Sequence, residues 1–368
     1  MKTRVYLKAV VLTLIVLLSI PLQAGPDAAS QIKAEIARLQ QSIQEHPVAD
    51  KDFAPVATMA SDALKAASAA ANNGQVYLAL EKLGQAQDLL QGARGGADKA
   101  EVEKGGLTAF QAQWSKASIQ LTALDKEAHA QSWTQSPLAV RALAEAAQGR
   151  AIPLLEGAQG FAVATGPKDG LLYIGEAEGQ AEFAKFCASL KFTDVKPAPF
   201  ALRSLLSEIQ ALQTRTNAAF QPPQSIELHS RFIALNSALK LAQELDQSRF
   251  YAGAMFAYLE AVRHYGMLTA KPLDAASQAE LKQALATKRK ELAASPKDES
   301  IAQLFMQRAE SYAAHPDGSA PAADEWRGAR VILEQVLPAY YAAVKSAAPL
   351  QQSSGKTVEV TLVRWPYT

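Results

Sequence analysis

The sequence has almost no cysteine, with Cys187 the only one in 368 residues. One thiol cannot form a disulfide within the chain, so the fold must be held by an apolar core even in an oxidising compartment. Glycine and proline contents are ordinary and 49% of the residues are apolar. This composition excludes collagen-like, disordered and disulfide-scaffold proteins. Because Cys187 lies in an apolar helical stretch, we expect a buried, unreactive thiol.

An excess of charge of one sign is also missing. The 37 basic and 36 acidic residues leave a formal net charge of +1. A nearly neutral protein has no electrostatic reason to bind nucleic acid or an anionic membrane. We therefore expect no nucleic-acid partner.

The motifs that identify common enzyme chemistries are absent from the sequence. There is no His-Glu-x-x-His, Cys-x-x-Cys-His, Gly-x-x-x-x-Gly-Lys-Ser/Thr or Gly-x-Ser-x-Gly, so zinc proteases, c-type haem, P-loop nucleotide sites and common serine hydrolases lack support. His264 follows Glu260 by one helical turn, which predicts a surface pair rather than half of a metal site. Glu176, Glu178 and Glu182 predict a solvated acidic edge. We accordingly predict no catalytic residue, metal or cofactor; the sequence favours a protein that is not an enzyme and leaves an enzyme open as the alternative.

Long apolar runs are missing except near the first residue. Three basic residues precede the apolar run 9–20, and the small-residue site 22–24 follows it. This order is typical of a secretory signal peptide, here 1–24, and the run is short for a bilayer-spanning helix, which needs about 20 residues. We expect a periplasmic or secreted protein without an integral membrane segment after cleavage.

What the sequence does contain is alanine and helical periodicity. Apolar residues recur every three or four positions through most of the chain, which predicts an all-α fold. We expect stacked antiparallel helical hairpins, as an α-solenoid-like array or an irregular bundle, with a short C-terminal β-strand. The predicted helices span 30–44, 52–72, 75–91, 110–130, 137–148, 173–190, 200–218, 225–245, 249–268, 274–293, 298–314 and 322–346.

Breaks in this periodicity suggest a domain organisation. After the signal peptide, N-terminal helices occupy 25–91, the glycine-rich and charged stretch 92–106 reads as a linker, and a helical hairpin domain covers 107–346. The tail, 347–368, alternates apolar and polar residues and predicts a lone strand. Residues 161–175 fit either a β-hairpin or a helix, with a helix favoured for the second half.

Three helices share a pattern of large and small residues at fixed spacing. A large residue wedges a helix pair open while an alanine one turn later lets the helices approach. This spacing resembles the second helix of a tetratricopeptide repeat, although the three patches do not recur at a fixed period; unrelated antiparallel packing stays the alternative. The pattern comprises Val76, Ala79, Leu83 and Ala86, then Tyr251, Ala254, Tyr258 and Ala261, and finally Trp326, Ala329, Leu333 and Val336.

The middle patch yields a candidate binding face. Ala238, Leu241, Ala242 and Leu245 fit the seam between the two helices of a hairpin. The resemblance implies that the positions beside this seam line a concave groove, in which two carboxamides can hydrogen-bond to a peptide backbone. A solvated helix face is the alternative. The candidate binding residues are Asn236, Leu239, Gln243 and Asp246.

The densest group of aromatic residues comes immediately after these positions in the sequence. It favours a helix-packing core, while a groove for a peptide or glycan is the alternative. Its members are Phe250, Tyr251, Phe256, Tyr258 and Tyr265.

Two function classes remain open from the sequence. The favoured one is an exported cell-envelope binding or scaffold protein that holds a protein or peptide partner on a helical-repeat-like surface. The alternative is a helical envelope hydrolase or lyase acting on a glycan or peptide polymer. A pocket with convergent acidic, histidine and tyrosine side chains favours the enzyme, and a smooth aromatic-lined groove favours binding.

Overall fold

The computed structural model describes residues 27–219, 228–271, 273–314 and 321–346. All regular secondary structure in these ranges is helical, which confirms the predicted all-α class, and no strand occurs among them. The predicted signal peptide, 1–24, and the predicted strand in the tail, 347–368, lie outside the described residues.

Most helices begin and end within about six residues of the positions that periodicity predicts. The predicted helix 110–130 instead begins at Ala100, and the predicted helix 137–148 extends to Ala164. The first six are α1 (Ala28–Glu45), α2 (Ala54–Asn72), α3 (Val76–Ala97), α4 (Ala100–Ala130), α5 (Leu138–Ala164) and α6 (Pro167–Ser189). They are followed by α7 (Leu206–Ala219), α8 (His229–Gln247), α9 (Tyr251–Thr269), α10 (Ala275–Ala294) and α11 (Ser300–Ala313). The last helix, α12, runs through Ala323–Val331, a π-helical turn at Ile332–Val336, and Leu337–Ser346.

Helix pairs pack side by side into one assembly. Helix α3 packs between α2 and α6, α6 packs on α5, α5 packs on α9, and α9 packs on α8. Helix α1 covers α2, α7 covers α8, and α4 covers α5 and α6. Helix α12 lies across α9, and α11 packs on α3, α5, α10 and α12. The largest apolar core follows this row of helices, and a smaller one lies under α4.

The glycine-rich stretch 92–106 is helical rather than extended. Helix α3 continues to Ala97 and α4 starts at Ala100; Asp98 leaves the helical conformation between them, with ψ 60°, and Gly106 leaves it within α4, with φ 58°. The glycines of α3 and α6 let the two backbones touch: a Cβ on Gly95 would lie 2.7 Å from the Leu171 carbonyl oxygen, and one on Gly175 would lie 2.3 Å from that of Gln91. These glycines serve close helix approach, as small residues do at tight helix crossings.

The ambiguous stretch 161–175 is a helix–turn–helix. Helix α5 continues to Ala164, Gly166 turns the chain with φ 128°, and α6 begins at Pro167. A β-hairpin is therefore absent from this stretch. Proline in the first turn suits the start of a helix because its missing N–H would have no partner there.

Several helix N-termini are capped by side chains from distant segments. Helices α3, α5 and α9 have no capping side chain of their own. Instead, Leu78 N–H donates to Gln307 Oε1 (3.0 Å), Leu138 N–H to Asp298 Oδ2 (2.6 Å), Ala139 N–H to Ser300 Oγ (2.8 Å) and Gly253 N–H to Glu145 Oε2 (2.8 Å). The caps supply acceptors for backbone donors that a helix leaves unpaired.

The patterned helices α3, α9 and α12 lie in the interior. Ala79, Ala254 and Ala329 are completely buried, as close packing at these positions requires. In the aromatic concentration, Phe250, Phe256 and Tyr258 are buried and the other two rings are half-buried. The structure thus places most of that concentration in the core.

Candidate functional site

A cleft of about 600 Å³ opens between the α5–α6 pair and helix α8, with one wall from α3 and α9. We call it the acidic cleft. Its polar lining includes Asp88 of α3, Arg150 of α5, and Tyr173 and Glu176 of α6. Its apolar lining includes Leu154, Phe161 and Leu241.

Two carboxyl groups of the acidic cleft are held in an environment that favours protonation. Burial raises the pKa of Asp88 to about 6, against the opposing influence of Gln180 and the Arg150 charge. Burial and the neighbouring Asp88 raise the pKa of Glu176 to about 7. Asp88 Oδ1 is buried and has no hydrogen-bond partner within the described residues. The pair can therefore both donate and accept hydrogen bonds near neutral pH.

An aromatic pair forms an exposed platform in the same cleft. The rings of Phe161 and Tyr173 stack with centroids 4.0 Å apart and an interplanar angle of 14°. Phe161 is 41% exposed, although large apolar side chains are normally buried. Such a platform can hold an apolar side chain or the face of a sugar ring.

A buried ion cluster closes the α9 side of the cleft. Arg308 of α11, which is 5% exposed, bonds to Glu260 of α9 and, at 2.5 Å, to Glu81 of α3. Arg263 Nη2 lies 3.0 Å from Glu260 Oε2. Because two guanidinium groups face it, the pKa of Glu260 is well below its ordinary value despite burial. Glu260 is therefore occupied by structural ion pairs.

His264 lines the cleft but is not a free base. Its Nε2 lies 3.1 Å from Nη2 of Arg263. Burial, followed by the charge of Arg263, lowers the pKa of His264 to about 4, so the ring is neutral at physiological pH. The sequence predicts a surface pair with Glu260, whereas the Glu260 side chain is only 13% exposed and its bonded partners are arginines. No group suited to hold a metal ion occurs among the described residues.

The four candidate binding residues of α8 have different environments. Leu239 is 2% exposed, and Asp246 is buried, accepting hydrogen bonds from Leu205 N–H (2.6 Å) and the Ser204 hydroxyl (2.7 Å). Asn236 is half-buried and donates to a backbone carbonyl of its own helix, while Gln243 is exposed. None of the four lines the acidic cleft, and their contact with a partner stays a prediction.

Helix α8 does reach the acidic cleft, through positions adjacent to the candidate ones. Ala238 and Leu241, which the sequence places in the hairpin seam, are half-buried and line the cleft. No local pattern in the sequence marks Asp88, and Glu176 is predicted to lie on a solvated edge. The available signal was the glycine spacing in α3 and α6, which predicts close approach of the two helices that carry these carboxyls.

No protein-family model, curated protein or solved structure matches the chain. In the part of the chain that is described, no helix combines the length and the hydropathy needed to cross a bilayer. Function is therefore inferred from the geometry and charge of the acidic cleft.

Proposed function

We propose that the protein is an exported binding protein of the cell envelope that holds a peptide segment of a partner in the acidic cleft. One observation carries this proposal: the stacked rings of Phe161 and Tyr173 lie in the same cleft as the carboxyl groups of Asp88 and Glu176. The basic start, short apolar run and small-residue site of 1–24 support export.

The chemistry of the lining suits a peptide. Phe161, Leu154 and Leu241 offer apolar contact to a side chain, while Gln180 and the two carboxyls offer donors and acceptors to backbone amides. Recognition sites commonly combine a mostly apolar lining with a few oriented polar groups. Stacked helical hairpins, the finer architecture that the sequence predicts, present concave surfaces suited to extended partners.

A displayed peptide library tests this proposal with residues 25–368. Peptides selected from the library are synthesised with a fluorophore, and their dissociation constants are measured by fluorescence anisotropy. Phe161→Ala should weaken binding by about tenfold or more, since a central aromatic contact is worth over about 1 kcal/mol. Ile119→Ala removes another exposed apolar side chain, 75% exposed and outside the cleft, and should leave binding unchanged. Failure to select peptides, or equal affinities for both variants, would overturn the proposal.

Hydrolysis of an envelope polymer is the second candidate function. It is favoured by Asp88 and Glu176, whose pKa values of about 6 and 7 suit a base and an acid at neutral pH. The test incubates the protein with purified peptidoglycan and measures soluble fragments. If the protein releases fragments, and Glu176→Gln abolishes this release but keeps the affinity for peptides, the cleft is assigned to catalysis. Absence of fragments removes this candidate.

A further inference from the structure

A second cavity of the described residues lies away from the acidic cleft. It has a volume of about 890 Å³ and opens between the α2–α3 hairpin and the α10–α11 pair. We call it the basic groove; Lys82, Lys282 and Arg289 mark its charged lining, and Ala69, Leu285 and Met306 mark its apolar lining. It shares no lining residue with the acidic cleft.

The charges of the basic groove are predominantly positive. Against three cationic side chains stands one acidic residue, Glu310, whose Oε1 lies 3.6 Å from Nε of Arg289. The ammonium group of Lys82 contacts the Gln85 carboxamide at 3.3 Å, and that of Lys282 lies 5.2 Å from the ring centroid of Trp326. Within the described residues neither lysine has a carboxylate partner, so each ammonium group is available to an anionic ligand in the groove.

The apolar part of the groove is long and lined by small side chains. Helix α10 packs on α11 and α12 through Leu281, Leu285 and Leu292, and its alanines 286 and 293 line the groove. From Lys282 to Ala293 the helix rises about 16 Å at 1.5 Å per residue. A channel of this length next to cations suits a ligand with an extended alkyl chain and one anionic end.

We propose that the basic groove binds a long-chain carboxylate, with the alkyl chain along the alanine and leucine wall and the carboxylate at Lys282 and Lys82. Burial of methylene groups supplies most of the affinity, at about 0.8 kcal/mol for each CH₂ group. The lysines select the charge of the head group. The cavity volume lies within the range of about 300–1,000 Å³ that is typical of small-molecule sites.

Calorimetric titration of residues 25–368 with hexadecanoate, below its micellar concentration, tests this proposal. We expect saturable binding of one molecule per chain. Hexadecyltrimethylammonium, which has the same chain and the opposite charge, should bind at least tenfold more weakly. Butyrate, which has the same head group and a short chain, should show no binding. Equal affinity for the two long-chain ions, or uptake that does not saturate, would overturn the proposal.

Variants locate the binding in the groove. Lys82→Gln with Lys282→Gln should weaken hexadecanoate binding at least tenfold, and Ala286→Trp should block it. Lys290→Gln, on an exposed position of the same helix outside the groove, is the matched control and should bind as the parent does. Unchanged binding in the double variant contradicts the assignment. A polyglutamate peptide that binds more tightly than hexadecanoate, with the same dependence on both lysines, would assign the groove to acidic peptides instead.

Discussion

The acidic cleft and the basic groove differ in charge and in the way their walls are held. Helix α3 contributes to both, with Asp88 in one and Lys82 in the other. The wall that α3 and α6 give to the cleft is fixed by backbone contact at Gly175, and the cleft is closed by the buried Arg308 cluster. The groove is bordered by α10, which has few buried side chains.

This difference relates packing to the kind of ligand that each site can hold. Hydrogen bonds are directional, so a site that uses carboxyls needs walls that hold them in place. Alkyl contacts are not directional, so a wall anchored by three leucines suffices for them. One helix can serve both sites because its two faces carry opposite charges.

The largest expected effect concerns the ion cluster that closes the acidic cleft. Arg308→Met leaves Glu81 without its ion-pair partner and Glu260 with Arg263 alone. Removal of one partner from a buried pair costs about 3–5 kcal/mol of unfolding free energy. Urea denaturation measures this loss.

Arg289→Met is the matched control on the basic groove. This arginine is 68% exposed and faces Glu310 at 3.6 Å, so its loss should cost less than about 1 kcal/mol. Similar losses of unfolding free energy for Arg308→Met and Arg289→Met would show that the two sites do not differ in how firmly their walls are held.

The next effect concerns the backbone contact between α3 and α6. Gly175→Ala places a Cβ 2.3 Å from the Gln91 carbonyl oxygen, so the helices must separate, at a cost of about 1–3 kcal/mol. Gly157→Ala on α5, where no atom lies within 4 Å, should stabilise the protein by about 0.5–1 kcal/mol through helix propensity. Thermal unfolding of both variants checks the opposite signs; a tolerated Gly175→Ala shows that the contact is not tight.

A third effect concerns the dependence of stability on pH. The pKa values of Asp88 and Glu176 are raised, so between about pH 4 and 7 the native state binds more protons than the unfolded state and stability falls as pH rises. Asp88→Asn with Glu176→Gln removes this contribution. The variant should match the parent near pH 4 and melt at a higher temperature at pH 8.

Asp62→Asn is the control for this pH dependence, because Asp62 is exposed on α2, pairs with Lys65 and lines neither cavity. It should keep the parental decline in melting temperature. If the melting temperature of the double variant falls with rising pH as much as that of the parent, other titratable groups cause the pH dependence.

The smallest effect concerns the face of α8 outside the acidic cleft. Asn236→Ala with Gln243→Ala should change thermal stability by only a few tenths of a kcal/mol, the scale of surface substitutions. If these residues contact a partner, as the resemblance to tetratricopeptide repeats implies, affinity for a selected peptide falls in this variant. A large loss of stability would instead mark the Asn236 hydrogen bonds as structural.

Helix positions were predictable because apolar periodicity is a local property. The sequence predicts a linker at 92–106 because glycine occurs both in flexible segments and at close helix contacts. Only the helix that packs against a glycine distinguishes the two cases. Asp88 and Glu176 are far apart in sequence, and burial by α5 and α8 changes their chemistry. Their convergence depends on which helices pack together, which no local pattern specifies.

The distant caps determine when the chain can complete its fold. Gln307 caps α3 across 229 residues, Asp298 caps α5 across 160, and Glu145 caps α9 across 108. In a repeat array each unit is complete once its neighbours are in place. Here the amide of Leu78, in the first turn of α3, has no acceptor until the segment around residue 307 arrives. An emerging chain consequently stays incomplete until most of its length is available, and the finished protein should open as one cooperative unit.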